Sequence, residues 1–355
     1  MAGPNCPRLD VTPVRLALRA PVRAAWGELR ERSLLRVRLR WGDDDFGFGE
    51  AAPLEPYDGV SPAAVSAALQ VYASVLAESD PGASHAELLS ACAGERDLPQ
   101  ALAAIDLALW DRAGRRAGCP VSVLLAAGAA GSVAVNATLV ADDRAGAAAQ
   151  AAAATRSGVG CVKVKVGIGD DTGRIAAVRA ALGPSIAIRV DANGAWQSVD
   201  EALANLRALA PAGLEYAEEP VSGVEALRAL RTVSPVALAM DETAAEPGAA
   251  GSGATDAVCL KIARCGGITG LMRDARTARA AGSAVYVAST YDGPLGVAAG
   301  LHAAAALAAS GPVAHCGLAT LGMFDGLEDA LVPRDGAIAV PAGPGLLGRA
   351  DAVSY

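Results

Sequence analysis

The stretch CVKVKVG, residues 161–167, predicts a β-strand that has two different faces. Side chains alternate along a strand, so the three valines share one face while Lys163 and Lys165 share the other. Seven similar apolar runs occur at roughly constant spacing, separated by alanine-rich helical segments, at 133–140, 186–193, 214–220, 236–242, 256–263, 283–289 and 313–318. Eight such βα units predict a parallel sheet closed into a (β/α) barrel.

Charged side chains lie on the inner face of these predicted strands. The valines of 161–167 should pack under the helices, which turns both lysines toward the lumen. The same alternation turns four more groups inward, one on each successive strand: Asp191, Glu218, Asp241 and Lys261. All six groups lie near the C-terminal strand ends, where the active sites of (β/α) barrels are built.

The residue types of this set indicate a kind of chemistry. The chain has 27 arginines but only three lysines, at positions 163, 165 and 261. Arginine keeps its proton at usable pH, whereas a desolvated lysine can lose it. Inward carboxylates with open water positions are the ligands that Mg²⁺ prefers, and Mn²⁺ is the alternative ion. The pattern therefore predicts a divalent metal flanked by acid–base lysines, suited to removing a proton next to a carboxylate.

The first 130 residues follow a different pattern. Residues 14–19 and 33–41 alternate as strands do, and a turn follows at 42–45. Residues 62–79 and 99–117 are rich in alanine and leucine and are predicted to be helices. The expected α/β architecture is thus an α+β capping domain and a barrel, with boundaries at 1–130 (completed by 322–355) and 131–321.

Composition restricts the class of protein. A net charge of −8 and a pI near 5.0 argue against a nucleic-acid-binding protein, which is usually basic. No run of about 18 apolar residues lacks a charge or turn signal, so no membrane span is predicted. The start, MAGPNCPRLDV, lacks the basic and apolar regions of a secretory signal. Seven cysteines without a C-x-x-C pair fit reduced thiols in a cytoplasmic protein, and Cys161, Cys259, Cys265 and Cys316 are expected to be small core residues.

Motifs at these same positions resemble those of one enzyme family. They are KVK (163–165), DANGAW (191–196), EEP (218–220), MDE (240–242) and LKIARCGG (260–267), together with GFGEAAP (47–53) and AAIDLALWDRAG (103–114). This ordered set resembles the muconate-lactonizing subgroup of the enolase superfamily along nearly the whole chain. The resemblance implies Mg²⁺ ligands at Asp191, Glu218 and Asp241.

The resemblance also implies roles for the neighbouring groups. Lys165 and Lys261 would act as acid, base or charge-stabilising groups, with Lys163 in support. Glu242 would form a hydrogen bond with Lys261 and orient it. Asn193 and Glu219 are expected to lie beside or behind the metal ligands.

Three further stretches are similar to one branch of that subgroup. VNATLVA (135–141), STYDGPLGVAAGLHAAAAL (289–307) and HCGLATLGM (315–323) resemble o-succinylbenzoate synthases, which dehydrate a succinyl-hydroxycyclohexadiene carboxylate during menaquinone synthesis. In that interpretation Ser289, Thr290 and the backbone around Gly293 would hold a substrate carboxylate. Trp26 and Tyr57 lie in loops that would cover the barrel mouth and contact the substrate.

Other functions remain open at this point. An isomerase of the same subgroup, whether an N-succinylamino-acid racemase, a dipeptide epimerase or a muconate cycloisomerase, would use the same metal and lysines. A non-catalytic barrel should have lost a ligand or a lysine, and none is missing. A Schiff-base aldolase acting through Lys261 has no need of three metal-type carboxylates. The expected partner is a small carboxylate substrate, and the resemblance suggests a homo-oligomer.

Overall fold

The structure, a computed structural model, describes residues 6–24 and 27–348. Trp26, which was predicted to reach the substrate, lies outside the described residues. Within them the chain forms an antiparallel three-stranded sheet with helices, followed by a parallel sheet whose strands are joined mostly by helices. No helix in the described part of the chain is both long and apolar enough to cross a membrane.

The N-terminal layer pairs its three strands in sequence order. The strands are β1 (Arg8–Ala24), β2 (Gly27–Arg40) and β3 (Phe46–Ala51), and the helices are α1 (Glu55–Asp58), α2 (Pro62–Glu78), α3 (His85–Glu95), α4 (Pro99–Ala117) and α5 (Val121–Leu125). The predicted strands and the two predicted helices are therefore present. Helix α3 was not predicted, although Ser84 and Glu87 form a capping box at its start.

Glycines in β3 allow this strand to lie directly on α4. A Cβ atom at Gly49 would lie 1.9 Å from the carbonyl oxygen of Ala104, and one at Gly47 would lie 1.9 Å from that of Ala108. Contacts this short are impossible for any residue with a side chain, so the two glycines set the distance between strand and helix. The GFGEAAP and AAIDLALWDRAG motifs are thus two sides of one packing contact.

The second part of the chain forms the barrel. Its parallel sheet, as far as the structure describes it, has seven strands in the order β11-β10-β9-β8-β7-β6-β5. The strands and intervening helices are β5 (Ala137–Leu139), α6 (Arg144–Arg156), β6 (Cys161–Lys165), α7 (Asp171–Leu182), β7 (Ala187–Asp191), α8 (Val199–Leu209), β8 (Leu214–Glu218), α9 (Val224–Arg231), β9 (Leu238–Met240), β10 (Ala257–Leu260), α10 (Ile268–Ala280), β11 (Ala284–Val287) and α11 (Pro294–Ala308).

The predicted barrel is confirmed, but its eight βα units, predicted at roughly constant spacing, differ from the structure at three places. The run 313–318 forms only single bridges, Ala288 to Gly317 and Val135 to Cys316, which join the two edges of the sheet. The run 133–140 divides into β5 and β4 (Ser132–Ala134), and β4 pairs antiparallel with β12 (Ala337–Ala339). Between β9 and β10 the connection contains two 3₁₀ turns, at 242–245 and 249–251, in place of an α-helix.

The two faces of β6 lie as the alternation predicted. Val162 and Val164 are fully buried in the apolar layer beneath the helices, together with Ile175 and Val178 of α7. This fixes Lys163 and Lys165 on the lumen side, because successive side chains on a strand point to opposite faces. The apolar packing outside the barrel therefore decides which charges enter it.

The tail after residue 322 contacts the N-terminal layer. The backbone N–H of Asp325 donates to the carbonyl of Ala17 at 3.0 Å, and the N–H of Leu346 donates to Oδ1 of Asp111 at 2.7 Å. The domain boundaries themselves stay a prediction, but these contacts lie where the prediction places the tail.

Candidate active site

Neighbouring strands bring the predicted charged groups together. Lys165 is paired in register with Asp191, and Asp191 with Glu218, across β6, β7 and β8. Asp241 follows β9 directly and Lys261 follows β10 directly, so both lie at the same end of the barrel. Parallel strands expose their C-terminal ends at one mouth, which is why residues up to 98 positions apart in the chain (163 to 261) form one site.

The lysines of β6 are bound to the carboxylates of β7 and β8. Lys163 Nζ lies 2.8 Å from Asp191 Oδ2 and 2.8 Å from Glu218 Oε1, and Lys165 Nζ lies 2.6 Å from Asp191 Oδ2. Both lysine side chains are about one-seventh exposed, while the two carboxylates are fully buried. The lysines thus line the site from inside the mouth, and the acids lie beneath them.

The opposite side of the mouth has a second ion pair. Lys261 Nζ donates to Asp241 Oδ2 at 2.7 Å and to the hydroxyl oxygen of Tyr57 at 2.5 Å. Tyr57 belongs to α1 and donates in turn to Asp241 Oδ1 at 3.0 Å. Arg264 donates to the Tyr57 hydroxyl at 2.6 Å and to the carbonyl of Asp241 at 3.1 Å. The N-terminal layer therefore contributes a side chain directly to the barrel site.

The charges determine which groups are ionised. Burial raises the pKa of Glu218 to about 7, against the opposing effect of Lys163. Burial would also raise the pKa of Asp191, but Lys163 and Lys165 outweigh it and hold that pKa at about 2. Burial acts to lower the pKa of Lys163 and of Lys261, yet their carboxylate neighbours raise both well above the ordinary value. Both amines are therefore ammonium groups in this arrangement.

The three acids differ in how they could serve a metal ion. Oxygen atoms of Glu218 and Asp241 lie with the Cys259 sulfur within 4.8 Å of one another, whereas Asp191 is not part of that close group and faces the two lysines of β6. Glu218 Oε2 is buried and has no hydrogen-bond partner among the described residues. A buried carboxylate oxygen without a donor fits a cation, and carboxylate ligands are those Mg²⁺ prefers. The residues therefore fit the predicted ion.

The groups behind the ligands form their own hydrogen bonds. Asn193 receives a bond from Lys165 at 2.6 Å and donates to Glu242 Oε1 at 2.8 Å. The predicted hydrogen bond between Glu242 and Lys261 is wrong: the amine is already bound by Asp241 and Tyr57, and Glu242 binds Asn193 instead. The structure thus connects Glu242 to Lys165 through Asn193.

Glu219 fixes the turn that contains Asp241. Its carboxylate accepts from the backbone N–H of Asp241 at 2.7 Å, from that of Thr243 at 3.0 Å, and from the Thr243 hydroxyl. The side chain is fully buried, and burial, with Glu242 nearby, raises its pKa to about 8. Glu219 therefore acts on the site through the backbone of Asp241.

A cavity of about 500 Å³ lies between the lysines and the ends of β11 and the 316–320 segment. Ser289, Thr290 and Thr320 line its far wall, and Tyr57 lies beside Lys261 at the near wall. Ser289 Oγ accepts from the N–H of Asp292 and the hydroxyl of Thr320, so its own proton is used in neither contact. Thr290 Oγ1 is buried and without a partner in the described structure. These hydroxyls are available to a bound molecule.

The predicted contact of Gly293 with substrate is wrong. Its N–H donates to Glu50 Oε1 at 2.7 Å, and a Cβ at this position would lie 2.4 Å from Glu50 Oε2. Glu50 of β3 therefore occupies the start of α11 with a buried carboxylate, which suits a helix N-terminus. Helix α11 begins at Pro294, and the Glu50 carboxylate already occupies its N-terminal end.

Several site residues were missed by the sequence analysis. Arg264 was not singled out, although an arginine three positions after Lys261, just past a strand end, is a usable signal. Tyr286 lines the cavity floor from β11, and its buried hydroxyl has no partner in the described structure. It stacks on Tyr216 with ring centroids 5.4 Å apart, above the buried Arg189. Alternation alone places these rings in the lumen, yet it does not show that they meet.

Comparison with known proteins agrees with this arrangement. Residues 8–126 match the mandelate racemase / muconate lactonizing enzyme N-terminal domain, and residues 146–350 match the family described as enolase C-terminal domain-like. The chain therefore belongs to the enolase superfamily, in its muconate-lactonizing subgroup, and its fold is the barrel with capping domain of that superfamily. Enzymes of this superfamily use a lysine or histidine base with Mg²⁺.

Particular relatives have different activities. The chain is 38% identical to the o-succinylbenzoate synthase of Thermobifida fusca over 194 residues, which cover 51% of this chain and 59% of that protein. It is 30% identical to muconate cycloisomerase 1-1 of Acinetobacter lwoffii over 98% of this chain and 94% of that protein. The structure of the N-succinyl Arg/Lys racemase from Bacillus cereus superposes with a TM-score of 0.88 and 25% identity, covering 96% of this chain and 95% of that one.

Proposed function

We propose that this enzyme removes the proton next to a carboxylate with the help of Mg²⁺, and that it is an o-succinylbenzoate synthase acting in menaquinone biosynthesis. The observation that supports the proposal is the cavity: its lysines come from two sides, and its opposite wall is uncharged. Among the described residues that line the cavity, the only carboxylates are Asp191 and Asp241, and each already binds a lysine. Among these described lining residues no acid therefore remains to hold the ammonium group of a dipeptide.

Each set of residues in the site would have its own role in this reaction. Asp191, Glu218 and Asp241 would hold the ion, which supplies positive charge for the enediolate oxygens when it is bound. Lys165 would take the α-proton, and Lys261 opposite, an ammonium group beside Asp241, would stabilise the charge that develops on the carboxylate. The hydroxyl of the substrate leaves with a proton as water, so one C–H and one C–O bond break and the ring becomes aromatic. Ser289 and Thr290 offer hydroxyls to the succinyl carboxylate.

Aromatisation of the succinyl-hydroxycyclohexadiene carboxylate, followed by ultraviolet absorbance with Mg²⁺ present, tests the proposal. We expect turnover that EDTA removes and that Mg²⁺ or Mn²⁺ restores. Lys165→Ala and Lys261→Ala should each lower kcat by roughly 10²–10⁴-fold, the usual range for an acid–base group. Glu225→Ala is the matched control, because that side chain is 86% exposed and does not line the cavity. Absence of turnover in the wild-type enzyme would refute the synthase assignment.

A racemase of N-succinylamino acids is the second candidate. Lys165 ends β6 and Lys261 directly follows β10, two strands that three others separate in the sheet, so the two amines face the cavity from opposite sides. A racemase requires that arrangement. Incubation of N-succinylamino acids in D₂O would show α-proton exchange by NMR if this candidate is correct. Exchange without any aromatisation of the cyclohexadiene substrate would replace the synthase proposal.

A further inference from the structure

A cysteine lies within the carboxylate group of the barrel mouth. Cys259 is on β10, two residues before Lys261 and on the same face of the strand. Its side chain is 2% exposed, and its sulfur lies within 4.8 Å of oxygen atoms of both Glu218 and Asp241. Cys259 is the small core residue that the sequence predicts, and alternation alone does not show that it also faces the two carboxylates.

The carboxylate of Glu218, beside Cys259, has one oxygen that is free to bind a cation. Glu218 is fully buried, and its Oε1 accepts from Lys163 at 2.8 Å. Its Oε2 has no hydrogen-bond partner among the described residues. A buried acceptor without a donor is a rare and costly feature, and a cation beside it removes the cost. This unpartnered oxygen belongs to a residue of the cysteine-containing group, and it is the same oxygen that fits the predicted Mg²⁺.

The group formed by Glu218, Asp241 and Cys259 offers a metal ion one sulfur ligand as well as oxygen ligands. Thiolate ligands favour softer ions such as Zn²⁺ and Cd²⁺, whereas Mg²⁺ takes oxygen ligands and keeps several waters. Three protein ligands, one sulfur and two carboxylates, with an open position match the pattern of a four-coordinate zinc-type site. The same two carboxylates belong to the proposed Mg²⁺ ligand set, so the two positions overlap.

We infer that Glu218, Asp241 and Cys259 form a second, thiophilic metal position, which binds Zn²⁺ or Cd²⁺ in competition with Mg²⁺. Binding converts the Cys259 thiol to a metal thiolate and releases its proton to solvent. Because the soft ion takes Glu218 and Asp241 from the magnesium set, it inhibits the enzyme whenever it is bound. The inference rests on the metal-binding part of the proposed function and not on the identity of the substrate.

Cadmium titration of the full-length, chelator-treated protein tests this position. The probe is Cd²⁺ alone, and the readout is the ultraviolet sulfur-to-cadmium charge-transfer band, which does not depend on turnover. We expect one tight Cd²⁺ equivalent that Cys259→Ser weakens by at least about tenfold, since loss of even a ligand-supporting group costs 10–100-fold in affinity. Cys161→Ser is the matched control, being buried on the lumen face of β6, and should leave the tight equivalent intact.

Two outcomes would overturn the inference. The first is an unchanged tight equivalent in Cys259→Ser, which would assign the band to one of the partly exposed cysteines, at 6, 119 and 265. The second is a tight band in the wild type that millimolar Mg²⁺ does not weaken, which would show that the two positions do not overlap. Cys259→Ala is the second variant if the serine variant fails to fold, as judged by circular dichroism. The cadmium titration does not depend on turnover, so it remains valid even if the protein has no synthase activity.

Discussion

Glu219 offers the sharpest test of how the backbone holds the metal ligands. It follows Glu218 at the end of β8, with a positive φ of 40°. Its carboxylate receives two backbone N–H groups and one hydroxyl from residues 241 and 243, all of them buried. Since Asp241 is in that turn, removal of the carboxylate should loosen a predicted metal ligand without changing the side chain of that ligand.

The expected magnitude follows from the number of donors. Glu219→Ala leaves three buried donors without an acceptor, and each orphaned group costs about 1–3 kcal/mol. Water entering the space left by the side chain should keep the loss near the lower end, so we expect the free energy of unfolding to fall by about 3 kcal/mol. Mg²⁺ affinity should fall by roughly 10–100-fold, the range for groups that support ligands. Glu219→Gln keeps an acceptor oxygen and should recover more than half of both losses.

Chemical denaturation and calorimetric Mg²⁺ titration measure the two effects separately. Glu225→Ala again serves as control and should match the wild type in both. Unfolding of Glu219→Ala at the wild-type denaturant concentration, together with unchanged Mg²⁺ affinity, would show that the Glu219 carboxylate does not hold this turn. A loss of stability with unchanged Mg²⁺ affinity would show that the turn holds Asp241 by other contacts.

Two further predictions concern the framework. Burial lowers the pKa of His302 to about 4, whereas the pKa in the unfolded chain is near 6.5. The neutral imidazole therefore stabilises the folded state fully above about pH 6.5. This stabilisation is lost as the pH falls from about 6.5 to 4. The free energy of unfolding should fall by about 3 kcal/mol over this pH range. In His302→Gln the free energy of unfolding should depend less steeply on pH over the same range. Equal pH dependence in the variant and the wild type would show that His302 does not cause the loss. Gly49→Ala places a Cβ against the Ala104 carbonyl and should destabilise the protein by about 3 kcal/mol or abolish soluble expression. Gly59→Ala has only the cost of its positive φ of 70°, because the space around it is open, and should cost less. If Gly49→Ala melts at the same temperature as the wild type, then β3 and α4 can move apart at little cost.

Local sequence was sufficient for the charged lining of the barrel. Val162 and Val164 need an apolar layer, and strand geometry then turns Lys163 and Lys165 to the opposite side whatever the partners are. The same reasoning placed Asp191, Glu218, Asp241 and Lys261 at one mouth, because parallel strands all end there. These positions depend on alternation and strand direction, both of which are properties of a short segment.

Contacts between distant segments required the tertiary structure. The contact of Tyr57 with Lys261 joins residues 204 positions apart, and that of Glu50 with Gly293 joins residues 243 apart. Both depend on how the N-terminal layer docks on the barrel, which is set by many apolar contacts and by no local pattern. Likewise the run 313–318 has the composition of a strand, but only its neighbours decide that it forms two bridges instead of a full ladder. The sequence alone thus determined which side chains face the lumen, and docking of the layers decided which of them meet.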